Sequence, residues 1–321
     1  MKLYQLDKFG EDIRTLRQES NLSQADVYNL IGISQDTLRR IENGYTIPKF
    51  ETLEYLSLLY KTDIVSLLSK TRIGHHYAHG NIAQTLNDMI LNNDFNHLDR
   101  AINFINETIA NDKELPTDHM LLSKLFQFKV LVEIIHEYKH ELFDSKHTSE
   151  IEKKILDSVA LTINKFDLNY LEIYQLDFIE IRLLIIYCEI LRLNNQYQGA
   201  LDILAILLEK TSIKLKYDDN YLDLLFKIYF NISYCHHRND DHQNVVSSCD
   251  KGLQICIEHS DYSLMHAFLF RKAVALFNLG EKDQSEQLIK QCITILKIIG
   301  NEQLAVQYKK IFDKMYFSVE E

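Results

Sequence analysis

Residues 22–44, LSQADVYNLIGISQDTLRRIENG, carry the strongest local structural signals in this chain. Ser23 is followed three positions later by Asp26, the spacing of a capping box at the start of a helix. Gly32 supplies a tight turn that lets the next helix cross the first, and Ser34 can cap that second helix. The stretch therefore predicts two short helices joined by a tight turn, over residues 24–31 and 35–43.

Helical spacing continues on both sides of this pair. Phe9, Ile13 and Leu16 form an apolar stripe on a helix over residues 7–19. Gly44 fits the left-handed position that ends the second helix of the pair. A further helix follows Pro48, with Leu53, Leu56 and Leu59 on its inner side. Residues 6–70 therefore predict five short helices.

The same residues resemble the helix-turn-helix of the lambda and 434 repressor family. The resemblance rests on Leu22-Ser23-Gln24, Gly32-Ile33-Ser34 and Thr37 to Gly44, with Pro48 beyond, and it covers about a fifth of the chain. In that family the third helix enters the major groove and the preceding helix lies against the DNA backbone. The resemblance implies a double-stranded DNA operator as a partner.

Carried over position by position, Gln35, Asp36 and Arg40 would face base edges, and Gln24 would contact a phosphate or the outermost base. These side chains suit adenine, cytosine and guanine edges. Asp36 could equally favour the helix dipole, and Thr37, also a candidate DNA contact, is explained better by capping or packing. The remaining candidates are phosphate contacts that set register without reading sequence: Arg39, Tyr45, Thr46 and Lys49.

Two further predictions concern the head. Arg17 and Glu42 occupy positions that form a structural ion pair in similar domains. Residues 1–70 hold nine Lys/Arg and ten Asp/Glu, so a single head is close to neutral and should bind DNA weakly. We therefore expect a homodimer on inverted half-sites, joined through C-terminal helices such as 301–317.

Composition sets the fold class. Among 321 residues there are only 9 Gly and 2 Pro, too few turn formers for a sheet protein, so an all-α chain is expected.

The net charge of −11 lies mostly outside the head. No stretch reaches the ~20 apolar residues of a membrane span, and the mixed-charge N-terminus is unlike a secretory signal, so a cytoplasmic protein without a membrane partner is predicted. The five cysteines read as reduced core thiols, and no cofactor or metal is predicted.

The organisation beyond the head is predicted as a linker at 71–80 and a helical repeat domain at 81–321. Two of the helices expected there span residues 149–166 and 170–194. The turns at Asn195, Asp240 and Gly280 are 45 and 40 residues apart, and small residues recur at fixed offsets from them. They are Cys188, Ser233 and Ala273 before the turns, and Ala200, Val245 and Ser285 after them.

This pattern resembles the tetratricopeptide repeat, although its period exceeds the standard 34 residues, and a HEAT-like stack competes for the same architecture. A right-handed α-solenoid of degenerate helix pairs is therefore expected. Its first helices should line a ligand face. On helix 219–238 the core stripe is Tyr221, Leu224, Leu225, Ile228, Ile232 and Cys235, which leaves a second stripe of Asp223, Lys227, Asn231 and Tyr234.

The repeat spacing maps this second stripe onto neighbouring helices. Lys227 maps onto Arg182, Asn231 onto Arg271, and Tyr234 onto Glu189; Asn278 completes the candidate peptide-binding set. Asn can bond main-chain amides, and Arg or Lys can bind carboxylates. An ordinary solvated helix face is the alternative for each residue.

A repressor-type head followed by such a body resembles the RRNPP group of Gram-positive quorum-sensing regulators. The resemblance implies that a short signalling peptide binds the repeat domain and changes dimer geometry or operator affinity. Asn231 occupies the position where similar proteins place an asparagine on the peptide backbone. A scaffold that docks a protein partner without a ligand is the main alternative.

An enzyme is the remaining alternative. His136-Glu137-Tyr138-Lys139-His140 matches H-E-x-x-H, the helix of zinc peptidases. Lys139 places a cation within the motif and no convincing third ligand follows. A plain helix with Phe128, Leu131, Ile135 and Tyr138 in the core explains the stretch equally, so no catalytic residue is predicted.

Overall fold

The computed structural model describes residues 4–71, 119–139 and 147–317. The chain divides into two compact units, one containing residues 4–71 (the head) and the other residues 126–139 and 147–317 (the body). Both units are built from helices, which confirms the all-α fold class. No helix in the described ranges is long and apolar enough to cross a membrane. The predicted linker lies outside these ranges apart from Thr71, so the domain boundaries stay a prediction.

The head contains the five predicted helices. Ser23 Oγ accepts a hydrogen bond from the Asp26 backbone N–H, and the Asp26 carboxylate accepts one from the Ser23 N–H, so the capping box is present. Gly32 adopts the left-handed conformation, with φ of 74°. The helices are α1 Leu6–Glu19, α2 Gln24–Ile31, α3 Gln35–Glu42, α4 Phe50–Tyr60 and α5 Ile64–Lys70.

One apolar core holds these helices together. Phe9, Ile13, Leu38, Ile41 and Leu56 are fully buried in it. α1 also approaches the end of α3 closely at Gly10, where a Cβ atom would lie 2.6 Å from the Glu42 carbonyl oxygen. A residue without a side chain is required there. The position of α3 is therefore fixed by its apolar face and by backbone contact with α1.

The body is a succession of helices in which each contacts the next along the chain from α7 onwards. Two short 3₁₀ segments, Leu168–Ile173 and Asp219–Tyr221, precede α8 and α10. The helices are α6 His119–Lys139, which belongs to the body from Phe126 onwards, α7 His147–Ala160, α8 Phe178–Leu193, α9 Tyr197–Leu215, α10 Leu222–Arg238, α11 His242–Glu258, α12 Met265–Asn278, α13 Lys282–Ile298 and α14 Glu302–Phe317.

Two predicted boundaries in the body are wrong. The helix expected over 149–166 ends at Ala160, and the one expected over 170–194 begins at Phe178. Asp177 explains the later start, because its carboxylate accepts hydrogen bonds from the N–H groups of Ile179 and Glu180. The Glu180 carboxylate accepts from the Asp177 N–H in return, which completes a capping box.

The predicted repeat is confirmed by backbone geometry and burial. Asn195, Asp240 and Gly280 all have positive φ angles, of 59°, 55° and 87°, at equivalent turns between paired helices. The small residues at fixed offsets from these turns are all buried, as close helix pairing requires. The first helices of the pairs also meet, since α10 contacts both α8 and α12.

The helices of the body pack most closely around Gly252 in α11. A Cβ atom there would lie 2.6 Å from the Phe268 ring of α12. Phe268 is fully buried and also contacts the rings of Phe226 and Phe230 in α10. The absence of a side chain at Gly252 therefore makes room for an aromatic cluster that joins three helices.

The cysteines belong to this interior. Cys188, Cys235, Cys249, Cys256 and Cys292 are buried and none forms a disulfide, which agrees with the prediction of core thiols. Burial raises the pKa of Cys249 to about 12 and that of Cys235 to about 11. These thiols therefore remain protonated at neutral pH and behave as small apolar groups.

Candidate DNA-binding and ligand-binding sites

The exposed side of α3 is polar. Leu38 and Ile41 point into the head core, whereas five predicted DNA contacts are exposed. Ser34 caps the helix through a hydrogen bond from the Thr37 N–H to Ser34 Oγ. α3 therefore presents a row of donors and acceptors from a helix anchored by its apolar face. The exposed contacts are Gln35, Asp36, Thr37, Arg39 and Arg40.

Two of these side chains already pair with each other. Arg39 donates to Asp36 Oδ1 at 2.7 Å, in an i,i+3 ion pair with both side chains about two-thirds exposed. Thr37 Oγ1 lies 2.8 Å from Ser34 Oγ, as expected for a capping residue. Gln35 and Arg40, the other predicted base contacts on α3, are exposed and lie outside this ion pair.

Beneath α3, Glu42 is buried and joins three elements. Arg17 donates from Nε to Glu42 Oε1 at 2.6 Å and from Nη2 to Oε2 at 3.0 Å, which confirms the predicted ion pair. Gln24, a predicted DNA contact, donates to Glu42 Oε2 at 2.9 Å. The carboxylate thus orients the first residue of α2 as well as the end of α3.

The loop after α3 supplies the predicted phosphate contacts. The Tyr45 side chain is 74% exposed, and Lys49 is exposed directly before α4. Thr46 is half-buried. A tyrosine hydroxyl and a lysine ammonium are both common donors to phosphate oxygens.

In the body, the predicted ligand residues lie on the first helices of the pairs. Arg182 and Glu189 are on α8, Lys227, Asn231 and Tyr234 on α10, and Arg271 on α12. Lys227 interacts with Arg182 and Glu189, Asn231 donates to the Lys227 carbonyl oxygen, and Arg271 lies over the Tyr234 ring. We name this group of six residues the inner face. Asn278, the last residue of α12, is exposed.

One end of the inner face is a cluster of charges around Lys227. Its ammonium pairs with the Asp223 carboxylate. The pKa of Lys227 is lowered from 10.5 to about 8, chiefly by burial and also by the nearby Arg182 guanidinium, while Asp223 opposes the shift. Arg182 is itself buried. Two cations are thus held close together inside the helical layer.

Asn231 lies next to this cluster and is only 4% exposed. Its Nδ2 donates to the Lys227 carbonyl oxygen at 3.0 Å, one turn earlier in α10. That bond fixes the amide and directs its oxygen away from the Lys227 carbonyl. The arrangement suits an asparagine that accepts a hydrogen bond from a peptide N–H.

The other end of the inner face contains a residue that the sequence analysis missed. The Arg192 guanidinium of α8 lies 3.9 Å from the centre of the Tyr234 ring. Arg271 lies over the same ring at 5.0 Å and over the Phe230 ring at 4.2 Å. The sequence signal that could have identified Arg192 is its position as a basic residue near the end of the apolar helix FIEIRLLIIYCEILRL.

Comparison with known proteins gives one match to the head and others to nearly the whole chain. Residues 13–67 match the helix-turn-helix family model HTH_3. A crystal structure of Bacillus thuringiensis PlcR in complex with the peptide PapR7 and DNA matches 94% of this chain and 99% of that chain, with a TM-score of 0.68 and 13% identity. The chain has the fold of the RRNPP regulators. ComR from S. thermophilus, solved with DNA and its signalling peptide, matches 94% of this chain and 97% of its own at 16% identity, with a TM-score of 0.55.

The head also has a relative by sequence. The cryptic phage CTXphi transcriptional repressor RstR of Vibrio cholerae is 41% identical over 61 residues, which is 19% of this chain. The match spans 55% of the length of RstR. The repressor-type likeness predicted for the head is therefore found at the level of sequence, whereas the RRNPP-type likeness of the whole chain is one of fold.

The zinc-peptidase alternative gains no support from the RRNPP-type fold. Glu137 Oε1 lies 3.8 Å from Lys154 Nζ, so the carboxylate that would activate water faces a cation. His140 of the H-E-x-x-H match lies outside the described residues. Phe128, Leu131 and Ile135 are buried, as expected for an ordinary helix of the body.

Proposed function

We propose that this protein is a DNA-binding transcription regulator whose body binds a short signalling peptide, which changes dimer geometry or operator affinity. The observation that carries the proposal is the presence, in one chain, of a helix-turn-helix head and a body with the PlcR and ComR fold. Both of those proteins were solved with a peptide and DNA.

The head supports the DNA part of the proposal. Gln35 and Arg40 are exposed on a helix whose base is held by Glu42 and the apolar core. Rigid support matters because base readout requires side chains to be placed within a fraction of an ångström. Tyr45 and Lys49 would add sequence-independent affinity through the phosphates.

The inner face of the body supports the peptide part. Asn231 can accept from a main-chain N–H, and the surrounding cations can hold carboxylate groups. These groups are fixed by packing before any ligand arrives, which lowers the entropic cost of binding. A solvated helix face would leave such side chains exposed, whereas Arg182 and Asn231 are buried.

A homodimer completes the proposal, because one near-neutral head reads few base pairs. A groove of about 940 Å³ runs between α13 and α14, which are among the C-terminal helices predicted to form the dimer interface. Ile289, Ile293, Val306 and Phe312 give it an apolar floor, with Lys290, Lys297, Glu302 and Asp313 among its edges. A self-complementary mixture of charges around an apolar centre suits a twofold interface.

Calorimetric titration of the purified chain with short linear peptides encoded beside its gene tests the peptide part. Saturable binding that Asn231→Ala abolishes and Asn239→Ala, at the exposed end of α10, leaves intact is the expected result. DNA affinity is measured on the same samples. Intact DNA binding without any peptide binding would instead favour a scaffold that docks a protein partner.

A further inference from the structure

Three successive inner helices bring two arginines onto one tyrosine. Arg192 comes from α8, Tyr234 from α10 and Arg271 from α12. Both guanidinium groups lie over the Tyr234 ring, at 3.9 Å and 5.0 Å from its centre. Cation–ring contacts of this kind hold a guanidinium in a defined orientation. We name this group the arginine pair.

Neither arginine has an anionic partner among the described residues. The Nε atoms of Arg192 and Arg271 are both buried without a hydrogen-bond partner. Neighbouring lysines in the same layer are neutralised, since Lys227 pairs with Asp223 and Lys272 with Asp250. The arginine pair is therefore a place on the inner face where two positive charges meet without an ion-pair partner among the described residues.

This arrangement of two like charges is energetically unfavourable. Burial lowers the pKa of Arg271 to about 10, and the positive charge of Arg192 contributes to the shift. A buried donor without an acceptor adds a desolvation cost. An anion bound beside the two guanidinium groups would lower the cost of their like charges, because it supplies the missing counter-charge.

The chemistry of the donors identifies the anion. Guanidinium groups present planar, forked N–H donors that match the two oxygens of a carboxylate. Both arginine side chains are only partly exposed between helices, so a small group fits better than a nucleic-acid backbone. Asn231 lies one turn before Tyr234 on the same helix. A side chain that can accept from a peptide N–H therefore lies close to the arginine pair.

We propose that the arginine pair binds a carboxylate of the peptide ligand, either its C-terminal carboxylate or an Asp or Glu side chain. The inference rests on the proposed peptide-binding function and names the class of peptide that the site selects. Tyr234 acts as a positioning residue that keeps both guanidinium groups pointed at the carboxylate. The otherwise acidic body thereby selects anionic peptides through a local positive site.

The test is affinity selection from a random heptapeptide library on immobilised full-length protein, with bound peptides identified by mass spectrometry. Half of the library carries a free C-terminal carboxylate and half a C-terminal amide. We expect bound peptides to be enriched in the free-acid form or in Asp and Glu. The two forms tell the sources apart, because enrichment in acidic side chains within the amide half indicates a side-chain carboxylate.

Arg192→Gln and Arg271→Gln should each weaken binding of the selected peptides by about 10- to 100-fold, the loss typical of one charge-assisted contact. Arg238→Gln is the matched control, since Arg238 also faces a tyrosine ring, Tyr197 at 5.8 Å, but is exposed at the end of α10. Arg192→Lys keeps the charge without the planar fork, and we expect an intermediate loss from it.

Three results would overturn the inference. Selected peptides without carboxylate enrichment, bound equally by wild type and the arginine variants, would remove the carboxylate site and leave peptide binding in place. A library from which nothing is retained would count against peptide binding itself, and against the arginine pair with it. Loss of binding in Arg238→Gln as large as in Arg192→Gln would show a general charge effect instead of a site.

Discussion

Arg17 and Glu42 join α1 to the end of α3 through two hydrogen bonds, with Nε–Oε1 at 2.6 Å and Nη2–Oε2 at 3.0 Å. Glu42 is only 3% exposed, so this is a buried ion pair beneath the candidate recognition helix. Gln24 and Arg14 also approach the same carboxylate. Breaking one side of such a pair leaves a charge inside the protein without a partner.

We therefore expect Glu42→Ala to lower the free energy of unfolding by about 3–5 kcal/mol, the cost of an uncompensated buried charge. Asp36→Ala is the control on the same helix. It removes the exposed pair with Arg39 and should cost no more than about 1 kcal/mol. Chemical denaturation of both variants measures the difference, and similar losses would show that burial does not decide the strength of these pairs.

A second prediction concerns the close contact of α11 with α12. In Gly252→Ala the new Cβ atom would press on the buried Phe268 ring, so we expect a loss of about 1–3 kcal/mol from overpacking. Gly199→Ala in α9 is the matched change, because its Cβ atom would meet only Leu191, at 3.9 Å. That variant should gain up to about 1 kcal/mol from helix propensity. Thermal unfolding of both distinguishes steric from conformational effects, and a stabilised Gly252→Ala would contradict the packing argument.

The parts of the fold that could be predicted from sequence are those with local causes. Ser23 and Asp26 lie three residues apart, and their capping box forms within one helix turn. The turns at Asn195, Asp240 and Gly280 depend on single residues that adopt positive φ. Small residues at fixed distances from those turns are buried because every helix pair meets in the same way.

The parts that were missed depend on several helices at once or on a competing local signal. The late start of α8 follows from the capping box of Asp177 and Glu180. The apolar residues on both sides of it continue a helical pattern, so the sequence predicted an earlier start. The Arg192 contact requires Tyr234, 42 positions away along the chain, and Arg271 from a third helix. An alignment of repeats maps equivalent positions, but it does not show which side chains meet between neighbouring helices.

The depressed pKa of Lys227 predicts a pH dependence of stability. Its value of about 8 in the folded chain lies below the ordinary 10.5, so folding disfavours the charged form. This cost is present in full below pH 8 and disappears as the pH rises to about 10.5. Relative to Lys227→Met, wild type should gain stability across that window, at up to about 1.4 kcal/mol per pH unit.

Denaturation at several pH values between 7 and 10.5 measures this difference, with the exposed Lys251→Met on α11 as the baseline variant. Other buried groups also titrate in this range, for example Cys249, but they are present in both proteins and cancel. A difference between wild type and Lys227→Met that stays constant from pH 7 to 10.5 would rule out the proposed environment of this lysine.

Base contacts and phosphate contacts in the head should give different losses of DNA binding when they are removed. Gln35→Ala and Arg40→Ala should each cost about 1–3 kcal/mol on the preferred operator and relax the preference at one base pair. Lys49→Ala should weaken binding to all duplexes about equally and reduce the salt dependence. Selection from random duplexes followed by fluorescence anisotropy at two salt concentrations separates these outcomes. If Gln35→Ala instead weakened binding to all duplexes equally, Gln35 would be a phosphate contact and not a base contact.

The groove between α13 and α14 gives a prediction for assembly. Val306 lines this groove and is 66% exposed, so a carboxylate at that position would have to lose its water when a second copy covers the groove. We expect Val306→Glu to shift the proposed dimer towards monomer by at least tenfold in Kd. Gln307→Glu adds the same charge at the adjacent exposed position and is the control. Sedimentation equilibrium measures both, together with operator affinity, which should fall with the dimer because each head then binds one half-site alone. A Val306→Glu protein that remains as dimeric as wild type would place the interface elsewhere on the chain.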